Sequence, residues 1–192
     1  MVGESSPSPA VPTVDDLIDE VREKTVEQWE KTFGRAVLVG PRPLTKDDYG
    51  GDLDEEEEEE AENPWSFQTL AAGIIPKTGD DPLTSFRIGE VYGLKKATKG
   101  AFATTLLVGR ASSNDVTIDD NSLSKLHARI KLADDGTMTI SDSGSMNGTV
   151  LNDEAVTSTP VVLANGDILQ LGNRTFRVYE IAHFHRLVGR LP

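Results

Sequence analysis

The feature that most constrains the fold is a series of short β-type segments in the second half of the chain, separated by turn signals about every 8–12 residues. The dipeptides Asp135-Gly136 and Asn165-Gly166 each lie between apolar or alternating segments, and both tolerate the positive φ of tight hairpin turns. No helical periodicity interrupts this half, so the pattern predicts a mostly β fold, a sandwich or a barrel. The predicted strands lie near residues 86–95, 104–110, 115–118, 127–132, 137–141, 147–151, 160–163, 167–171 and 174–180.

The segment 13–40 has a different pattern, which predicts an amphipathic helix followed by a short apolar segment. Thr13 followed by Asp16 resembles a capping box, and Gly34 stands where a helix often ends. The apolar run 36–39 is either a strand or a hydrophobic docking segment. Apolar residues recur at helical spacing through Val14, Leu17, Ile18 and Val21, and Trp29 and Phe33 extend the same face.

The remaining segments differ in composition. Residues 1–12 are rich in Ser and Pro, which predicts a disordered tail. Residues 41–64 contain helix-breaking Pro and Gly and a dense acidic run, which indicates a solvated linker. A calcium site is the alternative for that run, but its carboxylates are not spaced around a turn glycine. We expect residues 65–83 to be an apolar connecting segment, residues 84–181 to form the folded domain and residues 182–192 to be a C-terminal tail.

Charge and cysteine content exclude several classes of function. The net charge of −13 argues against non-specific binding to nucleic acid or anionic membranes. Residues 1–85 carry 7 basic and 21 acidic side chains and residues 86–179 carry 10 of each, so the second half can still present a local cationic site. No cysteine is present, which excludes disulfides and thiol catalysis.

No signal peptide and no membrane span is expected from this sequence. The first ten residues lack a basic start and an apolar stretch, and no apolar run approaches the roughly 20 residues needed to cross a bilayer. We therefore expect a soluble protein without membrane insertion, and we take the cytoplasm as the default location.

Four polar clusters follow one another in the β half: Gly109-Arg110, then Ser124-Lys125-Leu126-His127, then residues 144–149 (GSMNGT), then Asn152. Their order and spacing resemble the forkhead-associated (FHA) family, and the resemblance covers roughly residues 84–180. Residues 113–118 and 163–171 also look like FHA framework. The resemblance implies an antiparallel β-sandwich that binds phosphothreonine peptides in Ser/Thr kinase signalling, without a cofactor.

The resemblance places phosphate binding on Arg110 and Ser124, with Lys125 as an added charge. A phosphate dianion needs a fixed positive charge, and a guanidinium supplies one together with charge-assisted hydrogen bonds. The alternative for Arg110 is an ion pair with a nearby aspartate. The Ser124 hydroxyl can donate to a phosphate oxygen, and its alternative is an ordinary loop hydrogen bond.

The matching asparagine of the family binds the peptide backbone, and we expect this role of Asn147, which carries both a donor and an acceptor. An Asn before Gly is also a common turn. Weaker candidates for contact with the ligand are Ser112, Ser113, Ser122 and Met146. The resemblance implies architectural roles for Gly109, His127, Gly148 and Asn152. Met146 departs from the family, which often has threonine there, and this departure affects the expected peptide preference.

Two other classes of function compete with a phosphopeptide reader. An enzyme is disfavoured because the sequence has three histidines, no cysteine and none of the common nucleophile, nucleotide or zinc motifs. His183 and His185 have no clear third ligand nearby, so we expect no metal site. A scaffold that docks a partner without phosphate, through the N-terminal helix and the apolar segments, is the second alternative.

A self-binding hypothesis follows from three threonines outside the β half, each with an acidic residue three positions later. Thr13, Thr45 and Thr78 share this context. A phosphothreonine made at one of them would reach the chain's own site at high effective concentration and exclude partners. The expected partner is otherwise a threonine-phosphorylated protein, such as a Ser/Thr kinase or its substrate.

Overall fold

The computed structural model describes residues 11–40, 89–96 and 104–191, and within them eleven strands form two facing sheets. One sheet has the order β2-β1-β11-β10-β7-β8 and the other the order β4-β3-β5-β6-β9. The pairing is antiparallel except between β3 and β4. The strands are β1 (Ala36–Gly40), β2 (Glu90–Gly93), β3 (Thr105–Gly109), β4 (Val116–Thr117), β5 (Ala128–Leu132), β6 (Met138–Asp142), β7 (Thr149–Leu151), β8 (Glu154–Val156), β9 (Val161–Val162), β10 (Ile168–Leu171) and β11 (Arg174–Glu180).

The main core lies between the two sheets, as the alternation of side chains along the strands predicts. In β5, Ala128 and Ile130 are buried while Arg129 and Lys131 are exposed, so one face of the strand meets the core and the other meets solvent. Phe176 of β11 is fully buried in the same cluster. The predicted β-sandwich is confirmed.

The predicted helix between residues 14 and 33 is broken into three pieces. A 3-10 turn (Asp15–Leu17) leads into α1 (Ile18–Glu23). The helix α2 (Val26–Phe33) follows after Lys24, which is extended, and Thr25, which caps α2. Thr25 begins α2 with a full capping box, because Thr25 Oγ1 accepts from Gln28 N and Thr25 N donates to Gln28 Oε1. Gly34 ends α2 with a φ of 89°, a conformation that glycine adopts readily.

A layer of three helices covers the outer face of the six-stranded sheet. The third helix, α3 (Ile181–Val188), follows β11 directly. We call α1, α2 and α3 the helical layer. Its apolar cluster includes the fully buried Trp29 and Phe184, together with Val37 and Val39 of β1. Because Ala36 and Leu38 face the main core, β1 is buried on both faces, which explains its uninterrupted apolar sequence.

One alternative left open by the sequence is decided by the structure, and three expectations differ from it. The run 36–39, whose nature was open, is the strand β1 between β2 and β11. Strand β8 was not predicted; its hairpin turn uses Asn152 and Asp153, both at positive φ, instead of an Asn-Gly pair. The expected C-terminal tail contains most of α3, whose Phe184 and Val188 are fully buried. The expected single helix is interrupted at Lys24 because this residue is extended.

Several expectations fall outside the described residues. These are most of the disordered tail at 1–12, the acidic linker at 41–64, the apolar connecting segment at 65–83, and the threonines Thr45 and Thr78. Among the helices that the structure does describe, none is long and apolar enough to cross a membrane.

Candidate functional site

The predicted ligand-contacting residues converge on three loops at one end of the sandwich. The loops follow β3 (residues 110–115), connect β4 to β5 (118–127) and connect β6 to β7 (143–148). The first two are joined by backbone hydrogen bonds, from Arg110 N to Ser124 O (3.0 Å) and from Ala111 N to Lys125 O (3.1 Å). At Gly109, a Cβ atom would lie 2.6 Å from Lys125 O, so this close approach of the two loops requires glycine.

Arg110 extends from the end of β3 with most of its donors available. Its Nε donates to Leu123 O at 3.3 Å, which holds the guanidinium over the second loop. Within the described residues no carboxylate pairs with it, so the alternative of an Arg–Asp ion pair finds no support there. The two terminal nitrogens of the side chain can therefore meet an anion, and two N–H groups in one plane suit phosphate oxygens.

Ser124 lies beside Arg110, and its hydroxyl keeps its hydrogen available. Ser124 Oγ accepts a hydrogen bond from Met146 N (3.0 Å), which ties the second loop to the third. No acceptor for the hydroxyl hydrogen lies among the residues that the structure describes. A hydroxyl with one lone pair engaged and its hydrogen unused is suited to donate to a phosphate oxygen.

The other candidate serines and Lys125 divide into two groups. Lys125 is exposed, and so are Ser112 and Ser113 on the first loop. The hydroxyl of Ser122 is occupied instead: it donates to Asp120 Oδ1 (2.6 Å) and accepts from Asn173 N (3.0 Å). Ser122 therefore supports the loop, and its backbone carbonyl accepts a hydrogen bond from Asn147.

Asn147 stands at the tip of the third loop and is exposed. Its Nδ2 donates to Ser122 O at 2.8 Å, which fixes the amide, and no donor to its carbonyl oxygen lies among the described residues. The adjacent Met146 is 90% exposed. Gly148 follows with a φ of 78°, so the loop turns there through a conformation that favours glycine.

His127 is fully buried beneath the site. Its Nδ1 accepts from Ser124 N (3.1 Å), so the ring hydrogen is on Nε2, which donates to Gly148 O (2.9 Å). One neutral imidazole thus connects the second loop to the third. This geometry favours the architectural interpretation over a catalytic one, since neither ring nitrogen reaches the surface.

Asp142 organises the third loop and was not predicted from the sequence. Its carboxylate accepts from Gly144 N (2.7 Å), Ser145 N (2.9 Å), Ser145 Oγ (2.6 Å) and Thr149 Oγ1 (2.7 Å). Burial alone would raise the pKa of Asp142, but the hydrogen bonds from Ser145, Thr149 and Gly144 together lower it. In turns, an aspartate side chain commonly accepts from the backbone N–H groups a few residues later, so Asp142 followed by Gly144 is the sequence signal for this turn.

Two further side chains hold the first and second loops, and neither was predicted as a site residue. Asn114 is buried, and its Nδ2 donates to Ala111 O (2.8 Å) and to Lys125 O (2.6 Å). Asp120 Oδ1 accepts from Ser122 N (2.8 Å) in addition to the Ser122 hydroxyl. Short polar side chains that bond nearby backbone are common in loops, so their presence alone did not distinguish them.

The remaining predicted residues lie away from the three loops. Asn152 is in the β7–β8 turn and binds Ile168 N through Oδ1 (2.9 Å) and Asp167 Oδ1 through Nδ2 (2.8 Å). Thr13 precedes the helical layer, where its hydroxyl donates to Asp16 Oδ2 (2.7 Å) and accepts from Asp16 N. Thr13 N also donates to Asp16 Oδ2 (2.9 Å), and this bond together with the one from the hydroxyl lowers the pKa of Asp16.

The two C-terminal histidines do not face each other. His183 Nδ1 lies 3.1 Å from Asn165 Nδ2, while His185 Nε2 donates to Lys24 O (2.8 Å). Over the described ranges, no group of three or more metal-ligating side chains occurs.

Residues 106–172, which span all three loops, match the family model described as the FHA domain. The chain contains an FHA domain. The match begins inside β3 and ends after β10, so β1, β2, β11 and the helical layer lie outside it. The FHA type of the predicted sandwich is thereby established.

Relatives of the FHA domain are found in bacteria and plants. The glycogen accumulation regulator GarA of Mycolicibacterium smegmatis is 43% identical over 68 residues, covering 35% of this chain and 41% of GarA. The oxoglutarate dehydrogenase inhibitor of Corynebacterium diphtheriae is 38% identical over 68 residues, covering 35% of this chain and 46% of that protein. This chain therefore matches less than half the length of either relative.

Among solved structures, the FHA domain of an Arabidopsis thaliana hypothetical protein is 36% identical, with a TM-score of 0.40. The similarity covers 49% of this chain and 76% of that domain.

Proposed function

We propose that the FHA domain binds threonine-phosphorylated protein segments and acts as an adaptor or regulator in Ser/Thr kinase signalling. The observation that carries this proposal is the pairing of unused donors at the loop end: the terminal nitrogens of Arg110 and the hydroxyl hydrogen of Ser124. Arg110 and Ser124 are held together by a backbone hydrogen bond of 3.0 Å. A phosphate dianion satisfies both groups at once, because it offers several acceptor oxygens and a double negative charge.

Asn147 completes the proposed site by binding the peptide backbone. The bond from its Nδ2 to Ser122 O orients the side chain and leaves the carbonyl oxygen to accept a peptide N–H. Lys125 adds a flexible charge to the rim, and its exposure lets it contribute more to the rate of association than to contact energy.

The names of two relatives support regulation and not catalysis, since one is a regulator and the other an inhibitor. We propose no cofactor and no metal for the domain, and a partner that is a phosphorylated protein, for example a Ser/Thr kinase or its substrate. Nucleic acid is disfavoured as a partner by the net charge of −13.

The test is binding of a degenerate phosphothreonine peptide library to the wild type and to Arg110→Ala. We expect the substitution to weaken binding by about 2–4 kcal/mol, as for a central charged anchor. Arg177→Ala is the matched control, because Arg177 is also half-buried and also donates one hydrogen bond to a backbone carbonyl, Gly166 O. Arg177→Ala should leave the affinity unchanged.

Unphosphorylated and phosphoserine libraries decide between the proposal and its alternative. Binding that ignores phosphate and survives Arg110→Ala would establish the phosphate-independent scaffold instead. Preference for phosphothreonine over phosphoserine would support the threonine specificity that the FHA resemblance implies.

Self-binding is a regulatory extension of the same proposal. Thr13 is poorly placed for this role, because its hydroxyl and backbone are engaged with Asp16 and with the edge of β2. After kinase treatment, alanine at Thr13, Thr45 and Thr78 together should restore peptide binding that the treated wild type has lost. Equal binding by the treated wild type and the treated triple variant would reject self-occupancy.

A further inference from the structure

We infer that Asp120 is a positioning residue for peptide binding, which orients Asn147 through Ser122 and connects the loop end to the N-terminal segment through Arg174 and Glu90. This inference rests on the proposed function, since Asn147 is the proposed contact to the peptide backbone. It assigns a role to four side chains that the proposed phosphate site does not use. We call them the row: Ser122, Asp120, Arg174 and Glu90.

The first part of the row is local to the second loop. Asp120 Oδ1 accepts from both the backbone N and the hydroxyl of Ser122, at 2.8 and 2.6 Å. These two bonds hold the backbone nitrogen and the side chain of Ser122, and the carbonyl of the same residue accepts from Asn147 Nδ2 at 2.8 Å. Asn147 is exposed and lies at the tip of a loop, so this bond is what holds its amide in one orientation.

The second part of the row is an ion-pair chain that leads away from the loops. Asp120 Oδ2 lies 3.8 Å from Arg174 Nη1, and Arg174 Nη2 lies 2.7 Å from Glu90 Oε2. The three side chains are only 25%, 11% and 18% exposed, so their charges are less screened than those of surface pairs. Removing one partner of a partly buried pair leaves the other charge uncompensated. We therefore expect single substitutions in these ion pairs to disturb the geometry of the remaining side chains.

Glu90 anchors the far end of the row. Tyr92 donates its hydroxyl to the Glu90 carboxylate at 2.9 Å, and burial together with that carboxylate raises the pKa of Tyr92. The N-terminal segment lies along the same strand: Val91 N donates to Pro12 O (2.8 Å), and Thr13 forms a bridge with Glu90. The segment that leads into the helical layer is thus two ion pairs away from Asp120.

The same contacts orient the carboxylate of Asp120. Its Oδ1 accepts from Ser122 and its Oδ2 lies on the side of Arg174, so both oxygens are held by neighbouring groups of the domain. The result is a loop whose geometry at Ser122 depends on the carboxylate at position 120.

The test is a double-mutant cycle with the degenerate phosphothreonine library, in the full chain. Asp120→Asn should weaken binding about tenfold, because it removes a charge-assisted bond and the pairing with Arg174. In an Asn147→Ala background the same substitution should have an effect of about twofold or less, since the residue through which Asp120 acts is gone. Equal losses in both backgrounds would overturn the inference.

Control variants separate positioning from loss of stability. Asp135 also accepts from a backbone N, that of Thr137, but at the turn between β5 and β6 at the opposite end of the sheet. Asp135→Asn should leave peptide binding unchanged. If Asp120→Asn fails to fold, Ser122→Ala keeps both ion pairs and the carbonyl, and it should show the same dependence on Asn147. Glu90→Gln should weaken binding about threefold, less than Asp120→Asn, because its effect passes through Arg174.

A measurement without peptide distinguishes this inference from the proposed function. The side-chain amide resonances of Asn147, observed by NMR, should move in Asp120→Asn and in Ser122→Ala but not in Asp135→Asn. Should the wild type bind no phosphopeptide while these resonances move, the proposed function fails and the positioning of Asn147 stands. Unmoved resonances in both site variants would overturn the positioning role whatever the peptide result.

Discussion

The loop end of the sandwich and the helical layer are stabilised by different forces. At the loop end, Asp142, His127 and Asn114 hold backbone groups of neighbouring loops by hydrogen bonds. In the helical layer, Trp29 and Phe184 are fully buried and pack ring against ring at 5.8 Å between centroids. Polar contacts can fix a loop and leave selected donors unused, whereas apolar burial supplies free energy of folding but offers nothing to an anion.

The difference predicts that stability and peptide binding can be changed separately. Loss of an apolar side chain from the helical layer should affect the free energy of unfolding. Loss of a polar loop contact should affect affinity at least as much as stability.

The largest expected effect is that of Trp29→Ala, which should lower the free energy of unfolding by about 3–5 kcal/mol. Trp29 is fully buried and contacts Phe33, Phe184 and His185. Urea denaturation measures the loss, and titration of the folded protein with phosphopeptide should give the wild-type affinity. A lower affinity in the folded variant would contradict the separation of stability from binding, because it would make the helical layer part of the site.

Asp142→Asn should have an intermediate effect, with about 1–2 kcal/mol lost in stability at neutral pH and weaker peptide binding. The pKa of Asp142 is lowered in the folded protein from a usual value of 3.8. Its contribution is therefore fully present above pH 3.8 and is lost as the pH falls from there through the folded pKa. Denaturation of both proteins across this range should show their difference in stability shrinking as the pH falls. A constant difference would mean that the charge of Asp142 is not what orders the loop.

The smallest expected effect is that of Thr25→Ala, which removes the hydroxyl that begins α2. We expect a loss of about 0.5–1 kcal/mol in stability and no change in affinity. Thr25→Ser, which keeps the hydroxyl of the capping box, is the control and should retain most of the stability. A loss as large as that of Trp29→Ala would mean that polar contacts, and not only apolar burial, stabilise the helical layer.

Most of the sandwich was predictable because its strands alternate and its turns carry Gly. Strand β8 was missed because Asn152-Asp153 reaches positive φ without glycine. The run 36–39 stayed open because a strand buried on both faces has no alternation to distinguish it from a docking segment. The helix α3 was missed although Ile181, Phe184 and Val188 recur at helical spacing, because the segment is short and directly follows a strand at the end of the chain.

For the site, the ordered motif predicted which residues would meet, and the structure brings Arg110, Ser124 and Asn147 to one set of loops. Which donors stay unused could not be predicted, since it depends on contacts between residues far apart in sequence. Ser122 and Ser124 illustrate the limit: both are loop serines two positions apart, yet only Ser122 has its hydroxyl hydrogen taken, by Asp120.

The pairing of β1 with β2 gives the molecule a natural division into two pieces. Gly40 and Glu90 are partners in that ladder although residues 41–89 separate them in sequence, so both ends of this connection leave the sheet side by side. The entropy of closing a loop grows only slowly with its length, so we expect the sheet to tolerate changes in the number of residues between the two strands. We expect residues 1–40 and 89–192, produced as separate polypeptides, to reassemble, because β1 bonds to both of its neighbours and carries the helical layer's attachment to the sheet.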